Sequence, residues 1–148
     1  MAELTLMSDS FEHGDRIPAR HALEGENRSP HLSWSGHPEE TRSLAVICED
    51  PDAPSGAFVH WLGWGIDPQE GRLREGASAP REGRNGFGNN GYSGPRPPQG
   101  HGPHRYFFRV HALDAEPELE PGASREELEA AIDGHVLAVG ELMGTYER

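Results

Sequence analysis

Residues 67–104 hold nine glycines and six prolines in 38 positions. A helix interior loses about 1 kcal/mol at each glycine and about 3 kcal/mol at each proline relative to alanine. The segment is therefore loop and turn. So long a stretch without regular structure in a small chain is usually a functional loop or a disordered one. The whole chain carries 19 Gly and 13 Pro in 148 residues. That is 32 of 148, about a fifth, and falls short of the roughly 25–30% of low-complexity sequence. The reading is one folded domain, residues 1–148, rich in turns and unlike a helical bundle.

The segments around this loop carry strand patterns. Leu4-Thr5-Leu6 is short and alternating, as an edge strand is. Pro30 to Ser35 alternates, with Leu32 and Trp34 on one face and Ser33 and Ser35 on the other. Leu44-Ala45-Val46-Ile47-Cys48 is continuously apolar and reads as a strand buried on both faces, stopped by Pro51 and Pro54. Phe58–Ile66 and Tyr106–Leu113 are two more strands. The expected core includes Trp34, Val46, Ile47, Phe108, Val110, Leu128, Ile132 and Val139.

One helix is expected over 124–143. Ser124-Arg125-Glu126-Glu127 is a capping box. Leu128, Ala131, Ile132, His135, Val139 and Leu142 come after it at helical spacing. Gly144 stands where a closing glycine would, Gly134 and Gly140 imply close packing of that helix, and His135 falls on its apolar side.

Charge and cysteine content narrow the function. Asp+Glu is 25 and Lys+Arg is 13, giving a net charge of -12. A field of that sign repels nucleic-acid backbones and anionic membrane surfaces. All 13 basic residues are arginine, so lysine Schiff-base chemistry is excluded. With Cys48 alone there is no intrachain disulfide and no cysteine zinc cluster. The sequence shows no signal peptide and no membrane-spanning run, so a cytoplasmic location is expected.

Three clusters carry chemistry. Asp50-Pro51-Asp52-Ala53-Pro54 sets two carboxylates on a proline-stiffened turn. His60 sits in the apolar run Phe58-Val59-His60-Trp61-Leu62. Gly94 to Tyr106 joins rigid prolines and permissive glycines to His101 and His104. Each has an ordinary structural explanation. Asp-Pro-Asp is a common turn, a lone histidine in an apolar strand is more often a satisfied core residue than a ligand, and His101 and His104 belong to a chain with nine histidines. Gly86-Phe87-Gly88 lacks the strand-before, helix-after setting of a phosphate loop.

Their joint occurrence carries more than any one of them. Ser29-Pro30-His31-Leu32-Ser33-Trp34, Asp50-Pro51-Asp52-Ala53-Pro54, His60-Trp61, Gly91-Tyr92, Gly94-Pro95, Pro97-Pro98, Gly100, His104-Arg105-Tyr106 and Gly134-His135-Val136-Leu137-Ala138 occur in that order. In this the chain resembles the phosphatidylethanolamine-binding protein family, also called Raf kinase inhibitor proteins, and its small bacterial branch in particular. The resemblance implies a mostly β fold: an antiparallel β-sandwich with a C-terminal helix and an anion pocket at one end. It places Asp50, His60, His104 and Tyr106 in the pocket, with Pro54, Pro97, Pro98 and Gly100 as further ligand-binding positions.

The sequence also departs from the family. Only five residues, 55–59, separate Pro54 from His60, and Arg96 interrupts the Gly-Pro-x-Pro-Pro stretch. The chain stops at Arg148, so the extra C-terminal helix of eukaryotic members is not expected. These departures weigh against kinase regulation and phospholipid transport.

The leading expectation is a non-enzymatic protein that binds a phosphorylated or other small anionic ligand, without cofactor or metal and with a regulatory role. A lipid headgroup is one form of that ligand. The alternatives are a metal-dependent or hydrolytic enzyme using Asp50, His60 and His104, and a kinase or protease inhibitor acting by protein contact. The ligand, any protein partner and the oligomeric state stay open, a homodimer included. Cis bonds are expected at Ala53–Pro54 and Pro97–Pro98.

Overall fold

The computed structural model describes residues 2–148. Nine strands and one α-helix are arranged in chain order: β1 (Ala2–Glu3), β2 (Thr5–Met7), β3 (Leu32–Ser35), β4 (Ser43–Asp50), β5 (Phe58–Ile66), β6 (Arg72–Leu73), β7 (Arg81–Glu82), β8 (His104–Leu113), α1 (Arg125–Ile132) and β9 (Val136–Tyr146). Six strands form one sheet in the order β1-β9-β8-β4-β5-β7, and β2-β3-β6 form a second. All pairings are antiparallel except that of β1 with β9. No described helix is long and apolar enough to cross a membrane.

β4 is buried along its whole length, as its apolar run predicts, because it lies centrally between β8 and β5. β8 alternates instead. His104, Tyr106, Phe108, Val110 and Ala112 are buried on one face, while Phe107, Arg109 and His111 on the other are half-buried. The first face meets the small sheet through Leu6, Leu32 and Trp34 in the larger core cluster. On the second face Leu128 and Ile132 of α1 pack over Ala45, Ile47, Leu62, Trp64 and Leu113.

The helix is shorter than its periodicity predicts. The capping box forms as expected, with Ser124 Oγ accepting from the Glu127 N–H and Glu127 accepting from the Ser124 N–H. The helix ends at Ile132, however, and Gly134 reverses the chain at φ +81°. Beyond that turn the chain runs as strand β9, paired with β8 in ten register positions. Its buried positions, Ala138, Gly140, Leu142, Gly144 and Tyr146, recur every two residues. The glycines are there because the N-terminal segment lies directly on that face. A Cβ at Gly140 would sit 2.9 Å from the Cβ of Leu4, and one at Gly144 would sit 2.5 Å from Cγ1 of Ile17. The extended β8 ladder thus overrides an apparent helical spacing. Two further expectations fail with it. Val139 is half-buried on the outer face, and His135 is an exposed turn residue bonded to Asp114. Trp34, Val46, Ile47, Phe108, Val110, Leu128 and Ile132 are all buried. The described residues contain no cis peptide bond, so Ala53–Pro54 and Pro97–Pro98 are both trans.

Candidate functional site

The pocket forms where three neighbouring strands end together. Asp50 is the last residue of β4 and pairs with Phe58, the first of β5; His104 opens β8. His60 lies two residues into β5 and Tyr106 two into β8, so each shares a face with the strand's first residue. These residues border a cavity of about 250 Å³ together with Ala53, Pro54, Ser55, Phe58, Phe87, Arg96, Pro97 and Pro98. The structure thus brings together Asp50, Pro54, His60, Pro97, Pro98, His104 and Tyr106. Gly100 is not in the wall. It turns the chain at φ +75°, and its N–H donates to the carbonyl of Arg148.

The polar groups are held firmly. Asp50, 3% exposed, accepts from Nδ1 of His104 at 2.6 Å through Oδ2 and from the Asp52 N–H at 2.7 Å through Oδ1. Asp52 in turn pairs with Arg105, which holds its carboxyl down to about 2. The Asp-Pro-Asp turn is therefore pinned to β8. His60, 3% exposed, places Nδ1 at 2.7 Å from the Ser93 carbonyl. A carbonyl only accepts, so Nδ1 carries the proton and the neutral ring keeps a lone pair at Nε2. Burial lowers the His60 pKa, with the Ser93 bond and the Asp50 charge pulling the other way. The Tyr106 hydroxyl is buried beside the Asp50 carboxylate and makes no hydrogen bond of good geometry within the protein. Burial first, then the Asp50 charge, push its pKa well above the usual phenol range. It is a neutral donor at any ordinary pH.

Around these donors the wall is apolar and aromatic. Phe58 lies 5.2 Å from the His60 ring and 4.8 Å from that of Phe87, and His60 lies 5.2 Å from Tyr106, centroid to centroid. Phe87 is 39% exposed, so it stands at the rim.

Several contributors are not evident from the sequence. Asn85 is 4% exposed and fully engaged. Its amide donates to Gly91 O and Ser93 Oγ, and its carbonyl accepts from the Phe87 and Asn89 N–H groups. Asn85 thereby shapes the loop that presents both Phe87 to the rim and Ser93 to His60. The Asn-Gly turn signal at Asn85-Gly86 marks it. Arg96, noticed only as a departure, lines the cavity and brings a permanent cation. His101 bonds to His104, with Nδ1 2.6 Å from its Nε2.

A larger cavity, about 460 Å³, lies under α1 on the opposite face of β8, beside Arg109 and His111. Its two arginines are already engaged: Arg109 and Arg125 both donate to Glu49, each at 2.6 Å. None of the three chemistry-bearing clusters reaches it, and of the family motifs only Gly134 and Val136 line it. The described residues contain no group of three or more His, Cys, Asp or Glu side chains arranged to hold a metal ion.

The sequence model of the phosphatidylethanolamine-binding protein family matches residues 7–147. The chain belongs to this family. Its fold is that of other phosphatidylethanolamine-binding protein homologues. A homologue from Chlamydia trachomatis superposes with a TM-score of 0.93 at 40% identity, covering 100% of this chain and 99% of that one. The E. coli protein YbcL, described as a new member of the mammalian PEBP family, superposes with a TM-score of 0.93 at 32% identity, with 99% of each chain covered. The UPF0098 protein of Pyrococcus abyssi is 45% identical over 155 residues, spanning 99% of this chain and 86% of that protein. The UPF0098 protein of Methanothermobacter thermautotrophicus is 46% identical over 155 residues, spanning 98% and 99%.

Proposed function

We propose that the chain is a non-enzymatic binding protein for a small anionic ligand, a phosphate ester or a comparable tetrahedral oxyanion carrying a short apolar substituent. The observation that carries this reading is the buried Tyr106 hydroxyl, which has no well-aligned hydrogen bond in the protein and borders the cavity with Asp50, His60, His104 and Arg96. A buried polar group without a partner costs about 1–3 kcal/mol. A ligand oxygen would satisfy it. Arg96 and a protonated His60 supply charge-assisted donors. Asp50 does not defeat this, because His104 and the Asp52 N–H engage both of its oxygens. Phe58, Phe87 and the prolines give the substituent an apolar wall. At about 250 Å³ the cavity lies below the roughly 300–1,000 Å³ that takes a drug-sized ligand. A headgroup or a small ester fits this volume, and a pair of acyl chains does not.

The test is calorimetry with sulfate, inorganic phosphate, O-phosphoethanolamine and a short-chain phosphatidylethanolamine. Wild type should bind the small anions. His60→Ala, which removes a charge-assisted bond worth about 1.5–3 kcal/mol, should bind them roughly tenfold to a hundredfold more weakly. Tyr106→Phe should also weaken binding, without loss of stability. The phosphoethanolamine arms against free phosphate distinguish a lipid headgroup from a simple phosphate. Release of phosphate from an ester during the titration would replace this reading with a hydrolytic one. Anion binding unchanged in both variants would exclude the pocket as the binding site.

A further inference from the structure

We propose that His101 is a displaceable cap on the binding site, occupying the one nitrogen of His104 that a ligand can use and leaving it when an anion enters. This inference rests on the anion-pocket reading above and adds to it which side chain competes with the ligand for His104.

His104 borders the cavity and is 2% exposed. Its Nδ1 is committed to Asp50 at 2.6 Å. Only Nε2 is left to meet a ligand, and because Nδ1 already carries the proton given to Asp50, Nε2 can donate to an anion only in the imidazolium form. Nδ1 of His101 takes that position at 2.6 Å, with the two rings edge to face at 4.9 Å. Asp50, His104 and His101 therefore form a chain in which the last hydrogen bond and a ligand contact exclude each other.

The surroundings of His101 suit a part that moves. It is exposed, whereas Asp50 and His104 are buried. Glycines flank it at positive φ, Gly100 at +75° and Gly102 at +85°, and a Cβ at either would meet nothing within 4 Å. The backbone is nonetheless tied down. The His101 N–H donates to Pro98 O, and the Gly100 N–H donates to Arg148 O. Arg148 Nε donates in turn to Pro97 O. Opening therefore requires no loop rearrangement. An exposed side chain rotates about χ1 in picoseconds to nanoseconds, and the ring swings outward while the proline wall stays in place. Its cost is one intramolecular hydrogen bond, which every binding event must break.

Removing the cap should consequently tighten binding. The experiment titrates sulfate into wild type, His101→Ala, His101→Phe and His60→Ala, with imidazole ¹⁵N spectra of the wild type recorded alongside. A net hydrogen bond of about 0.5–1.5 kcal/mol corresponds to affinity roughly twofold to tenfold higher in His101→Ala. His101→Phe keeps the ring but not the bond, and should bind at least as tightly as wild type. At saturation, the wild-type Nδ1 signal of His101 should move from a hydrogen-bonded to a solvent-exposed position. Should His101→Ala bind sulfate as wild type does or more weakly, while His60→Ala still loses affinity, the cap is overturned and the anion pocket stands. Absence of sulfate binding in all four proteins overturns the pocket, and the cap with it.

Discussion

Asp50, the last residue of β4, accepts a 2.6 Å hydrogen bond from Nδ1 of His104, 54 residues further along the chain at the start of β8. Both side chains are at most 4% exposed. The bond is at once a clamp between the Asp-Pro-Asp turn and the His-Arg-Tyr strand and the device that fixes the direction of the His104 ring.

Asp50→Ala is expected to lower stability because it strands two donors, Nδ1 of His104 and the Asp52 N–H. A hydrogen bond to a charged group contributes about 1.5–3 kcal/mol. Urea unfolding should show a loss of that order. Asp50→Asn keeps an acceptor and should lose less. Equal stability of all three proteins would mean that the clamp contributes nothing.

Sulfate binding should take up protons. Burial holds the His60 pKa below the ordinary histidine value of about 6.5, against the opposing pull of Ser93 and Asp50. Free His60 is thus neutral at pH 7, and a bound dianion favours its imidazolium. Between the lowered free value and the raised bound one, affinity falls as pH rises, by at most about tenfold per pH unit for one proton. Sulfate does not titrate in this range, whereas phosphate does. Calorimetry in two buffers of unequal ionisation enthalpy measures the uptake directly. A pH-independent affinity with no proton uptake would refute the role given to His60.

The pocket is legible in the sequence to the extent that its residues sit at strand ends with distinctive neighbours. Asp50 comes after a continuously apolar run and His104 precedes an aromatic one, so each can be placed on its strand. What decides the rest is long-range. β9 carries apolar residues at spacings that fit a helix face as well as alternate strand positions, and nothing local reveals that β8 waits to pair with it. Gly140 looks like a flaw in a helix, and Gly144 like its closing residue, until the N-terminal segment is pressed on them. Asn85 and Phe87 lie in the glycine-rich loop, where composition announces a turn but not what the turn presents. His101 and His104 are three residues apart, yet only the Gly100 and Gly102 turns bring their rings together.

Gly140→Ala should be costly for this reason. Its Cβ would fall 2.9 Å from Leu4 Cβ and 3.1 Å from Leu6 Cβ, both in buried side chains. Overpacking of that kind costs about 1–3 kcal/mol. In a helix the same change would stabilise by up to about 1 kcal/mol. Thermal unfolding of this one variant separates the two: a lower Tm fits the strand, and a higher one does not.

His111 gives the last expectation, and its sign is opposite to that of a histidine whose pKa an ion pair raises. Its ring lies on the outer face of β8, with Nδ1 buried and without a well-aligned hydrogen bond, the nearby Ala45 backbone only partly opposing the effect of burial. It borders the cavity under α1, beside Arg109, Arg125, Glu129 and Asp133. Burial first, then the Arg109 charge, hold its pKa down to about 4 in the folded chain. The unfolded value is about 6.5, so between the two the unfolded chain binds more protons and stability rises with pH. The full contribution is present above about 6.5 and is lost as pH falls towards 4, a change on the order of 3 kcal/mol at most. His60 and His21, also lowered by burial, act in the same direction. His111→Leu removes one titration and one nitrogen without a well-aligned hydrogen bond. Urea unfolding at pH 7 and pH 5 should therefore show a smaller stability difference for the variant than for wild type, with most of its advantage at pH 5. Parallel pH profiles for the two proteins would show that His111 is not held neutral by the fold.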